Sequence, residues 1–157
     1  MSNRMNRRGV LVVLLGIAMA GGSLAAQSAR GAAKKPHLVV YKSPTCGCCA
    51  KWVEHMKKAG FDLAVTDTDN VSLIKAEHKV PSNLAACHTA IVNGYVVEGH
   101  VPDDVIRKML AEKPKISGIA VAGMPMGAPG METEGVPQSY DVMAFDATGA
   151  SHVYAKK

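Results

Sequence analysis

Along the middle of the chain, apolar positions recur with two different periods. Leu38-Val39-Val40-Tyr41 is a continuous apolar run with β-branched and aromatic members, the pattern of a buried strand. Ser43-Pro44-Thr45 interrupts it. From Cys49 the period changes: Trp52, Val53, Met56 and Ala59 fall on one face of a helix that Gly60 stops. Phe61-Asp62-Leu63-Ala64-Val65 alternates and predicts a second strand. Asn70 or Ser72 opens a short helix to about His78, and Pro81 leads into a turn-rich segment ending at Cys87. Thr89-Ala90-Ile91-Val92 and Tyr95-Val96-Val97-Glu98 flank Asn93-Gly94, a strong hairpin signal. Pro102-Asp103-Asp104 begins a last helix through Ile106, Met109 and Leu110. Proline suits a first helical turn, and the acids face its positive end. The helix ends near Lys113-Pro114.

Strand, helix, strand, helix, hairpin, helix is the βαβαββα order of a thioredoxin-like α/β domain with three layers. Its first strand–helix–strand unit is a parallel crossover and its hairpin an antiparallel pair. Beyond Lys115 the pattern dissolves. Gly118 to Glu132 is rich in Gly, Pro and Met without helical period and predicts an irregular loop, long for idle structure. Tyr140-Asp141-Val142-Met143-Ala144-Phe145 and His152-Val153-Tyr154, around Ala147-Thr148-Gly149, predict C-terminal strands. No internal repeat is present.

The N-terminus follows a different logic. Arg4, Arg7 and Arg8 precede the apolar run Val10 to Ala20, and small residues follow from Gly21 to Ala26. A basic region, an apolar region and a small-residue zone make residues 1–26 a secretory signal. The run is short for the roughly 20 residues of a spanning helix. Residues 27–36 form a polar, disordered leader, and the domain occupies 37–157. The Arg7-Arg8 pair leaves the general and twin-arginine export routes both open. Export to the periplasm without stable membrane insertion is the expectation. It also changes the charge argument. The formal +5 includes the three signal arginines, so the exported part carries 15 basic and 13 acidic residues. A net +2 gives no reason to expect a nucleic-acid partner.

An oxidising compartment normally turns paired cysteines into disulfides. Three of the four cysteines, Cys46, Cys48 and Cys49, crowd into "SPTCGCCAKW" at the entrance of the first helix, where a thioredoxin-like fold places reactive thiols. The fourth, Cys87, sits just before the third strand, the segment that packs against that loop in such a fold. Topology therefore gathers four sulfurs. His88, His100, Met124 and Met126 recur nearby in the chain, with Met131 a weaker candidate. Thiolate with thioether selects Cu(I), and imidazole also suits Cu(II). Adjacent cysteines do not readily chelate one ion but can bridge two, which predicts several coppers per chain. Two alternatives stay open. One is a thioredoxin-like disulfide oxidoreductase with a Cys46–Cys49 or Cys46–Cys48 bridge. The other is a structural zinc or iron–sulfur protein.

Four segments, "PTCGCCAKWVEHMKKAGF", "VPSNLAACHTAIVNGYVVEGHVP", "GIAVAGMPMGAPGME" and "YDVMAF", together resemble the CopG-type family of periplasmic copper-resistance proteins. The resemblance spans nearly all of the domain. It implies a thioredoxin-like fold, export, and copper held by the cysteines with help from His and Met. Cys46, Cys48, Cys49, Cys87, His88, His100 and Met124 fall on the family's motif positions. Met126 falls where many relatives carry an aliphatic residue. Sequestration of copper and redox interconversion of Cu(I) and Cu(II) are both compatible with it. Other periplasmic copper-handling or electron-transfer proteins are the partners it implies.

Overall fold

In the computed structural model, residues 34–133 and 135–157 are described; the signal segment and the leader up to residue 33 lie outside them. The elements are β1 (His37–Lys42), α1 (Gly47–Lys58), β2 (Asp62–Asp67), α2 (Val71–Glu77), β3 (His88–Val92), β4 (Tyr95–Glu98), α3 (Asp103–Glu112), β5 (Gly118–Ala120), β6 (Asp141–Phe145) and β7 (Ser151–Lys156). A 3₁₀ turn at Ser82–Leu84 links α2 to β3.

They build one seven-stranded sheet in the order β2-β1-β3-β4-β5-β6-β7. β1 and β2 are parallel, and β3 runs antiparallel to both β1 and β4. These four strands with α1, α2 and α3 are the expected thioredoxin-like unit. β5 adds to β4 in parallel, a pairing that requires a crossover, and α3 supplies it. β6 and β7 complete an antiparallel edge.

Alternation along the central strands assigns the two faces. Ala90, Val92 and Val97 point into the main core, with Trp52, Val53 and Met56 of α1 and Val105, Ile106 and Met109 of α3. Ile91 and Val96 face the opposite side, with Leu84, Ala120 and Phe145. Each such large apolar side chain contributes roughly 1.5–3 kcal/mol on full burial. α2 buries no residue fully, and its Lys75 donates to Thr89 on the second face. The Asn93-Gly94 turn joins β3 to β4 with both residues at positive φ, 48° and 84°, the geometry that matches strand twist.

Four expectations are corrected. α1 begins at Gly47, earlier than the apolar period indicates, because Cys46 caps it: the Cys49 N–H donates to Cys46 Sγ. His88 lies inside β3 rather than before it, paired with Lys42 across the sheet. The Gly/Pro/Met segment is not wholly irregular, since its first three residues are β5. Pro36, assigned to the leader, accepts the amide of Asp62 at 3.0 Å and so already belongs to the sheet's edge. Among the described residues no helix is long and apolar enough to cross a membrane.

Candidate metal centre

Capping of α1 by Cys46 winds the CGCC segment into the helix's first turn, which draws its three sulfurs together. Cys46 and Cys49 are joined as a disulfide. Cys48 and Cys87 are free and half-buried. Cys48 Sγ lies 3.5 Å from Cys46 Sγ. The sulfurs of Cys46, Cys48, Cys49 and Cys87 all lie within 4.8 Å of one another. The topology therefore does bring Cys87 to the helix entrance. The bridge is one of the two connectivities that the disulfide alternative allows.

Cys87 belongs to a second donor group with His88 and His100, again within 4.8 Å. Its sulfur is 3.0 Å from His100 Nε2 and 3.6 Å from His88 Nδ1. Both imidazoles are fully buried. His100 Nδ1 donates to the Pro129 carbonyl at 2.8 Å, which leaves the Nε2 lone pair directed at Cys87. His88 lies between Trp52, with ring centroids 4.4 Å apart, and the edge of His100 at 5.0 Å. Its Nε2 is the one buried side-chain nitrogen or oxygen without a hydrogen-bond partner among the described residues. Trp52 is itself fixed by donating to the Val101 carbonyl at 3.0 Å.

Burial sets the protonation states. It holds His88 well below the usual imidazole range, helped by the nearby His100, Lys75 and Lys42 charges. It also lowers His100, against the opposing bond to Pro129. The Cys87 thiol is pushed up to about 12 by burial and then by Cys48. The metal-free centre thus presents two neutral imidazoles and a protonated Cys87 thiol. A metal ion that converts that thiol to a thiolate must release its proton.

The Gly/Pro/Met loop closes over this group. At Gly130, φ is +83°, and a Cβ would stand 2.7 Å from Trp52 N and 2.8 Å from Cys48 O. Only glycine lets the loop approach the first turns of α1 so closely. The loop contributes the Pro129 carbonyl to His100. Its Met131 lines a cavity of about 300 Å³ beside Cys48, with Gly47, Lys51, Gly130, Glu132 and Thr133. Met124 and Met126 do not line that cavity; they are 56% and 39% exposed.

A buried polar network supports the segment that carries Cys87. Glu98 is fully buried and accepts from Lys75 Nζ at 2.5 Å, the Ala86 amide at 2.6 Å and Thr89 Oγ1 at 2.7 Å. Sequence reasoning passes over Lys75, Glu98 and Pro129. The charged residues look like a solvated face, and a carbonyl's role leaves no trace in residue type. A glutamate alternating with Val96 and Val97 in a strand was the one available hint.

A family described as a protein of unknown function, DUF411, matches residues 84–131, which include Cys87, His88, His100 and the loop methionines. No curated protein matches the chain. Two solved structures of a copper resistance protein, CopG, are similar to it at 35% sequence identity. Each alignment covers 78% of this chain and 98% of the other, with TM-scores of 0.74 for Form 2 and 0.73 for Form 1.

Proposed function

Since this chain belongs to the CopG family of copper resistance proteins, we propose that it is an exported copper-binding protein whose cargo is Cu(I), with Cu(II) accessible. The observation that carries this is the meeting of four cysteine sulfurs within 4.8 Å, with two neutral imidazoles against the fourth. Soft thiolates with imidazole suit copper above other first-row ions. In the reduced chain, Cys46, Cys48, Cys49 and Cys87 form a thiolate core whose adjacent members bridge neighbouring coppers. His88 and His100 complete it from the sheet side. Met124 and Met126, exposed on their loop, capture Cu(I) from solvent. Four thiolates shared between coppers favour storage of the ion, and the imidazoles admit redox interconversion.

Titration of the reduced, anaerobic protein with Cu(I) tests this reading, with X-ray absorption on the product. More than one copper per chain is expected, with sulfur scattering and a short copper–copper vector. A protein that keeps zinc and takes up no Cu(I) would sink the proposal.

The Cys46–Cys49 bridge also favours a second reading, dithiol–disulfide exchange in the manner of a thioredoxin-like oxidoreductase. That reading uses Cys46 and Cys49 and leaves Cys87, His88 and His100 without a task. Turnover of a protein disulfide that survives Cys87→Ser would favour it over copper binding.

A further inference from the structure

The two donor groups share Cys87 but differ in state. In the four-sulfur group, Cys46 and Cys49 are bonded to each other and offer no thiolate. In the group of Cys87, His88 and His100, every donor is free. Three ligands around one ion at about 2.0–2.3 Å sit roughly 3.3–3.8 Å apart. The observed 3.0 and 3.6 Å from Cys87 to the two imidazoles are close to that spacing before any ion arrives. The Pro129 carbonyl holds the His100 tautomer that leaves Nε2 free, the kind of outer partner that orients metal-bound histidines. The His88 ring meets no hydrogen-bonding group outside the site, and one of its nitrogens is buried without any partner.

We propose that the Cys46–Cys49 disulfide gates the capacity of this centre. Closed, the chain holds a single copper ion on Cys87, His88 and His100. Open, Cys46 and Cys49 join Cys48 and Cys87, and the multicopper core becomes available. The gate rests on the copper reading above and adds its regulation. A one-thiolate, two-imidazole set is a mononuclear copper site in its own right. Opening takes two electrons and two protons from an external dithiol. One of its sulfurs bonds to Cys46 or Cys49 as the Sγ–Sγ bond breaks. Its second sulfur then displaces that mixed disulfide, leaving two cysteine thiols and an oxidised dithiol. No variant is needed to reach the two states.

Anaerobic Cu(I) titration against a chromophoric chelator should give one equivalent for the chain with its bridge intact, verified by mass. After treatment with dithiothreitol and its removal, the capacity should rise more than twofold. A Cys46→Ser/Cys49→Ser double variant should stay at one equivalent with or without dithiothreitol. His100→Ala should weaken the closed-state ion at least tenfold and still allow more than one equivalent after opening. Equal capacity in both states would overturn the gate. No uptake when closed but several equivalents when open would overturn the three-donor site and leave the copper reading intact. No uptake in either state would overturn the copper reading itself. A closed-state ion indifferent to His100→Ala would overturn the ligand assignment.

Discussion

At the scale of single residues, the centre is built from groups whose burial suppresses charge. His88 and His100 are held below their usual value of 6.5, while Cys87 is raised from 9.0 to about 12. The signs are opposite, and so are the consequences. Below about pH 6.5 the unfolded chain protonates both histidines while the fold resists, so the unfolded state binds more protons. Stability is therefore full above 6.5 and is lost as pH falls toward the depressed folded values. Each imidazole contributes at most about 1.4 kcal/mol per pH unit in that range. Above about pH 9 the unfolded chain ionises Cys87 while the folded chain does not, so stability is lost again as pH rises toward 12. Urea unfolding of the metal-free, bridged protein should show a plateau between these limits and a fall on either side. His100→Gln should shallow the acid limb. A flat acid limb between pH 6.5 and 5 would mean that these histidines gain their protons inside the fold.

At the scale of elements, the centre depends on how one short segment is pinned. Cys87 sits between the 3₁₀ turn and β3, outside both. The Lys75–Glu98–Thr89 network ties that segment to its neighbours by joining α2, β3 and β4 and taking the Ala86 amide. Glu98→Ala would strand a lysine, an amide and a hydroxyl around an empty site. A broken buried pair of this kind costs about 3–5 kcal/mol. Glu98→Gln keeps an acceptor oxygen for Ala86 and should cost less. The order Ala > Gln in lost unfolding free energy, with faster alkylation of Cys87 in the alanine variant, is the expected result; equal costs would reduce the network to simple space filling. These elements also show what sequence alone conveys. Periodicity locates β4 to the residue, and Asn93-Gly94 locates its turn, because both are local. β5 is invisible for the converse reason. It has three residues, and it opens with Gly118 because a Cβ there would lie 2.3 Å from Val96 O. Its strand character comes from its neighbours, not from its own propensity. Likewise the cysteines and histidines of the site are legible from residue type and topology. The Pro129 carbonyl and the Glu98 network are set by where an aperiodic loop and a solitary charge come to rest.

At the scale of the whole molecule, the donors divide by how far apart the chain must reach to unite them. Cys46, Cys48 and Cys49 are near neighbours in sequence, so even an unfolded chain offers them together to Cu(I). Cys87, His88 and His100 meet them only through the parallel β1–α1–β2 unit and the antiparallel β3. Copper stabilises the fold only by the excess of its affinity for the folded over the unfolded chain. On the proposed copper reading that excess comes from the distant donors, because the local trio would bind in both states. The reduced protein should therefore melt higher with Cu(I). Cys87→Ser should abolish most of the rise while retaining copper on the remaining three sulfurs. If folding adds a hundredfold to the affinity, the linked stabilisation is about 2.7 kcal/mol with copper in excess. For a domain of this size that is on the order of 10 °C in Tm. Thermal unfolding under nitrogen, with bound copper counted on both proteins, separates the alternatives. An undiminished shift in Cys87→Ser would place the stabilising ions wholly on the helix-entrance trio, and the conjunction of sheet and helix would then have no part in holding copper.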